Sequence, residues 1–154
     1  MHKTLLTLIS IFVFSNLIYG QKIKLNSENI YINDKGKPYS GSYKEYYENG
    51  NLKLHMKLKK GFKNGNVYLY FENGALHEVY SYKRNLMDGL WLTYNEKGIK
   101  TAEARYMDDK KHGEWKVWND NGILIYLMHY TNGEKSGTWI KYNDKGEEIA
   151  RKTY

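Results

Sequence analysis

Catalysis needs a nucleophile, an acid–base pair or a metal held by converging side chains, and this chain has few groups suited to any of them. It has no cysteine and five histidines, His2, His55, His77, His112 and His129. No two are spaced as H-x-x-x-H, the separation that turns two imidazoles toward one metal ion. The acidic pairs Asp108-Asp109 and Glu147-Glu148 are sequence neighbours. Adjacent residues on a strand point to opposite faces, whereas glycoside hydrolysis needs two carboxylates fixed across a cleft. These pairs therefore read as solvated charge. The sequence has no G-x-S-x-G elbow, P-loop or dinucleotide-binding glycine pattern. The expectation is a protein that is not an enzyme, with no catalytic residue, cofactor or metal.

Aromatic side chains and lysines remain, and glycines set their positions. Gly41, Gly65, Gly89, Gly113 and Gly137 follow one another at 24 residues, and Gly50, Gly74, Gly98, Gly122 and Gly146 repeat the same interval without an insertion. Two residues after the first glycine come Tyr43, Val67, Trp91, Trp115 and Trp139; five residues after it come Tyr46, Tyr70, Tyr94, Trp118 and Tyr142. A third column holds Leu58, Tyr82, Tyr106, Tyr130 and Tyr154. A fixed period of this length marks a repeat architecture.

Each unit reads as a β-hairpin. The second glycine follows Asn49, Asn73, Lys97, Asn121 or Lys145. Asn-Gly is the favoured pair for a type I′ turn, whose two central residues both need positive φ. Lysine suits that turn poorly, so Lys97 and Lys145 point to a longer or different turn in their units. After the turn the chain alternates: Leu52, Leu54, Met56 and Leu58 face one way, Lys53, His55, Lys57 and Lys59 the other. Two glycines per unit and the absence of an i, i+3, i+4 apolar stripe oppose helix. The expected fold is all-β: an elongated single-sheet meander of five 24-residue hairpins spanning residues 38–154, preceded at 21–37 by a cap or partial repeat. At ~4.8 Å per strand the sheet is on the order of 50 Å long. The two aromatic columns lie three residues apart, so either both faces carry aromatics or a bulge re-aims one column.

Residues 1–20 differ from the rest. A basic start at Lys3, an apolar run from Leu5 to Phe14 and a polar stretch ending at Gly20 form the three-part pattern of a secretory signal peptide, with cleavage expected before Gln21. The rival reading is an uncleaved membrane anchor, since the uncharged stretch from Thr4 to Gly20 is at the lower limit for crossing a bilayer. Either way the chain is expected to be exported, to the periplasm, the outer membrane or the medium. Without cysteine it can carry neither a disulfide nor a lipoprotein anchor. The formal net charge is +7, and +6 without Lys3. The lysines are scattered among Glu and Asp rather than run together, which argues against nucleic acid as a partner.

The pattern G-x-W-x-x-Y-x-x-x-G, displayed in GLWLTYNEKG (89–98), GEWKVWNDNG (113–122) and GTWIKYNDKG (137–146), resembles the MORN-repeat variant family, including bacterial YwqK-type antitoxin-like proteins. GSYKEYYENG and GNVYLYFENG depart from it at Tyr43 and Val67. The resemblance implies a β-hairpin array, and roles in contacting proteins, contacting membrane lipid or neutralising a toxin. Fold alone does not choose among these. With the export signal, the expectation is a scaffold mediating protein–protein interaction at the cell envelope. The alternatives are an antitoxin or immunity protein and a binder of anionic membrane or glycan surfaces. The nine aromatics of the first two columns, Tyr43, Tyr46, Tyr70, Trp91, Tyr94, Trp115, Trp118, Trp139 and Tyr142, are either the core of a thin sheet or a binding ladder. Tyrosine and tryptophan are favoured at interfaces because they are large, rigid and amphipathic.

Overall fold

The computed structural model describes residues 22–154, and the expected signal peptide lies outside the described residues. Two short strands, β1 (Lys24–Leu25) and β2 (Tyr31–Ile32), pair with each other in a small ladder. The main sheet follows as consecutive antiparallel hairpins: β3 (Gly41–Tyr46) with β4 (Leu52–Lys59), β5 (Phe62–Tyr70) with β6 (Leu76–Lys83), and β7 (Leu86–Tyr94) with β8 (Lys100–Met107). Next come β9 (Lys110–Lys111) and β10 (Gly113–Trp118), one strand interrupted at His112, with β11 (Leu124–Thr131), and finally β12 (Glu134–Tyr142) with β13 (Glu148–Thr153). Spatial order follows sequence order from β3 to β13, and the sheet is open at both ends. The chain is thus an all-β meander of five hairpins. No helix occurs among the described residues.

Both glycine series lie at positive φ, for different reasons. The second series closes each hairpin. The Gly50 N–H donates to the Tyr47 carbonyl at 3.0 Å, and the Tyr47 N–H donates to the Asn51 carbonyl at 2.9 Å. The same pair of bonds recurs around Gly74, Gly98, Gly122 and Gly146. Only the glycine has positive φ, 77° to 86° across the five turns. This corrects the Asn-Gly expectation: the loop has three residues, the one before glycine keeps negative φ, and Lys97 and Lys145 fit there as well as asparagine does. All five turns are therefore alike.

The type I′ turns sit at the other end of the hairpins, where one unit passes to the next. Both central residues have positive φ in Lys60-Gly61 (51°, 81°), Arg84-Asn85 (53°, 70°), Asp108-Asp109 (47°, 64°) and Asn132-Gly133 (53°, 95°). These pairs also recur at 24 residues. Asp109 is more than solvated charge, because its carboxylate accepts the Met87 N–H at 2.6 Å while its own N–H donates to the Met87 carbonyl at 2.9 Å. Asn85 clamps Lys63 in the same way. Each such turn is thus fastened to the strand that follows the turn before it, which is the neighbour-to-neighbour bonding expected of a repeat stack.

The first glycine series marks a break in register. Met56 pairs with Val67 and Leu58 with Lys63, so Asn64, Gly65 and Asn66 all face Lys57. The shift recurs between Tyr80 and Tyr82 and between Leu127 and His129. Such bulges increase local twist and re-aim side chains.

With a single layer, few side chains can leave water. Met56, Leu58, Val67, Val79, Ala104 and Trp115 are buried. Around the first three pack Ile23, Tyr31, Tyr39, Tyr43, Leu54, Tyr80 and Tyr82. The segment before β3 thus lies over the first two hairpins, fixed by Tyr31 N–H to the Gly61 carbonyl (2.9 Å) and Gly61 N–H to the Tyr39 carbonyl (2.7 Å).

Candidate interaction face

Tyr43, Met56, Val67, Tyr80, Trp91 and Ala104 are successive cross-strand partners, so the column two residues after the first glycine runs across the sheet on one face. Trp115 opposite Met128 and Trp139 opposite Lys152 carry the row to β13. Tyr106, Tyr130 and Tyr154 lie on the same face beside it. From β6 onward their rings form a continuous chain: Tyr80–Trp91 stacked at 5.7 Å, Trp91–Trp115 edge-on at 5.9 Å, then Trp115–Tyr130 and Tyr130–Trp139 at 5.2 Å and Trp139–Tyr154 at 5.0 Å. Offset and edge-on pairs are worth about 0.5–1.5 kcal/mol beyond area burial. The Trp115 and Trp139 indoles donate to the Arg105 and His129 carbonyls, at 3.1 and 2.9 Å. Trp91 Nε1 is buried without a partner among the described residues.

Tyr46, Tyr70, Tyr94, Trp118 and Tyr142 occupy the opposite face, as strand alternation dictates across a spacing of three. Both faces therefore carry aromatics. Trp118 receives Lys100 Nζ at 4.5 Å from its ring centre, and the same ammonium meets Glu103 at 2.6 Å. That bond is the leading reason the Glu103 carboxyl titrates below its ordinary range. Tyr46 is largely exposed, at 58%.

The sequence reading missed a lysine column on the ladder face. Lys63, Lys111 and Lys135 fall at the 24-residue interval, with Tyr39 and Met87 in the other two places. Lys111 Nζ sits 4.5 Å from the Trp115 ring centre and 4.9 Å from that of Tyr130; Lys135 does the same to Trp139 and Tyr154 at 4.5 and 5.1 Å. Lys63 stands 4.3 Å over Tyr82. The signal was available in the period, but alternation alone would not have placed these lysines beside the rings, because the bulge intervenes between them and the tryptophan column.

Burial shifts several of these groups. It pushes the phenol of Tyr43 up to about 12, helped by the hydrogen bond to Glu45, and raises Tyr31, Tyr82 and Tyr106. It lowers Lys63. An unfolded phenol ionises near 10.0, so above that pH the unfolded chain releases protons that the folded one holds, and stability falls. Lys63 acts oppositely, since its charged form is penalised on folding, and that effect is complete by 10.5. The urea midpoint is therefore expected to hold or rise slightly up to about pH 10 and to fall between 10 and 12.

Residues 39–60, 63–84 and 111–132 match the family model for the MORN repeat variant, and each matched segment ends at or beside a type I′ turn. No curated protein matches the chain.

Proposed function

Because the chain belongs to the MORN repeat variant family, a repeat type that is non-catalytic and generally engages proteins or membranes, we propose that it is an exported scaffold that binds a protein partner at the cell envelope through the ladder face. The observation that carries this is the uneven covering of that face. Over the first two hairpins its centre is Met56, Leu58 and Val67, flanked by Tyr43, Tyr80 and Tyr82 and packed beneath Ile23, Tyr31 and Tyr39. From Trp91 to Tyr154 it is aromatic and bears Lys111 and Lys135, and contacts among the described residues run between neighbouring strands. Rigid aromatics suit a docking surface, where Tyr and Trp supply anchors, and the lysines seated on the rings add charged contacts.

The test uses the full chain expressed in its host. Fractionation followed by N-terminal sequencing is expected to find it in the envelope or medium, beginning at Gln21. Crosslinking there is expected to join it to a protein, and Lys111→Glu with Lys135→Glu to weaken that capture at least about tenfold, since two anchoring cations are reversed. Capture that survives the double change would overturn the assignment of this face. The lysines also suit an anionic surface, and salt-sensitive flotation with anionic vesicles in place of protein capture would establish that reading instead.

A further inference from the structure

The edge of the sheet that carries the type I′ turns holds a second feature, separate from the ladder. Between the first two of these turns lies a cavity of about 350 Å³, open on one side and lined by Lys59, Lys60, Phe62, Asn64, Lys83 and Arg84. That volume is at the lower end of the range for small-molecule sites. All four titratable groups in its wall are cations, and among the described residues none of them forms an ion pair. The next turn in the series, Asp108-Asp109, carries the opposite charge, so the basic character is confined to this one gap.

The backbone supplies an independent observation. Lys60 and Arg84 each occupy the first central position of a type I′ turn, at φ 51° and 53°. That conformation favours Gly, Asn and Asp, and the later turns have Asp108 and Asn132 there. The two turns beside the cavity instead hold long cationic side chains in a backbone conformation that opposes them. Disfavoured backbone that persists under firm anchoring is concentrated at functional sites. The anchoring is present: Lys60 N–H donates to Ser40 Oγ at 2.7 Å, and Asn85 is bonded to both main-chain groups of Lys63 and to the Asn29 carbonyl.

We infer that this cavity binds a phosphate monoester carried on an apolar group, with Lys60 and Arg84 meeting the phosphate and Phe62 meeting the apolar part. An ester dianion can accept from several cationic donors at once, and the ring explains why the cavity is not a bare cluster of charge. The site does not depend on the ladder face having the role given above, and its variants leave Lys111 and Lys135 unchanged.

Phenyl phosphate, titrated into the full chain to millimolar concentration and followed by amide chemical shifts, is expected to bind saturably and move the resonances of residues 59–64 and 83–85. Phenol is expected to leave them in place. Lys60→Gly with Arg84→Gly removes both charges and also relieves the turns. Binding is expected to weaken at least about tenfold while the melting temperature holds or rises. Lys97→Gln, a charge loss at the far end of the hairpin, is expected to bind as the parent does. Flotation with phosphatidylcholine vesicles carrying a phosphatidylinositol phosphate separates the sources. Flotation lost in the double variant assigns a lipid headgroup, and soluble binding without flotation assigns a free ester. Binding that does not saturate, or that the double variant retains, overturns the proposal.

Discussion

Trp115→Ala is expected to destabilise the protein by about 3–5 kcal/mol, the range for removing a large buried aromatic. Trp115 is 8% exposed and touches Trp91, Tyr106 and Tyr130 while its indole N–H donates to the Arg105 carbonyl. In a one-layer sheet no second layer can collapse into the space it leaves. The loss falls at the centre of the ring chain, so it separates the stacking of the third hairpin from that of the fifth. Tyr46→Ala, at a ring 58% exposed on the other face, is expected to change stability by no more than about 0.5 kcal/mol. Urea unfolding of both variants measures the contrast, and similar midpoints would show that the ladder is not what joins the units.

Gly61→Ala is expected to cost about 2–4 kcal/mol, and Gly98→Ala only about 1–2 kcal/mol, the price of a left-handed backbone for a residue with a Cβ. Both glycines have positive φ, 81° and 77°. They differ in what surrounds them. A Cβ on Gly98 meets nothing within 4 Å, whereas one on Gly61 would collide with Ile30 Cγ2 and lie 2.9 Å from the Tyr31 carbonyl oxygen. The second contact is with backbone, so the segment before β3 must move away and give up its bonds to Gly61. Hydrogen exchange is expected to quicken at Tyr31 and Gly61 in Gly61→Ala and to stay slow there in Gly98→Ala. Equal exchange in the two would mean that the segment is not held by this contact.

Much of the architecture is legible before any coordinates. The second glycine series specifies five hairpins because a chain reversing in so few residues needs positive φ at a fixed place, and glycine provides it without steric cost, while the first series keeps the same period inside the strands. Strand alternation likewise put Leu54, Met56 and Leu58 on one face. Turn chemistry was less legible. Asn-Gly at 49–50 reads as a type I′ pair, but the same dipeptide serves a three-residue loop in which only glycine is left-handed. Two of the four true type I′ pairs, Arg84-Asn85 and Asp108-Asp109, contain no glycine and are easily passed over, although all four second positions, Gly61, Asn85, Asp109 and Gly133, tolerate positive φ.

From the amino-acid sequence alone come the period, the number of hairpins, the all-β class and the membership of its aromatic columns, because each depends on local backbone preference or on spacing along one strand. Only the tertiary structure decides which columns join into a ladder, where lysine comes to lie over a ring, how far the N-terminal segment covers the sheet and which turns enclose the basic cavity. Those follow from register across strands, and a bulge alters register without altering the spacing of any residue in the chain.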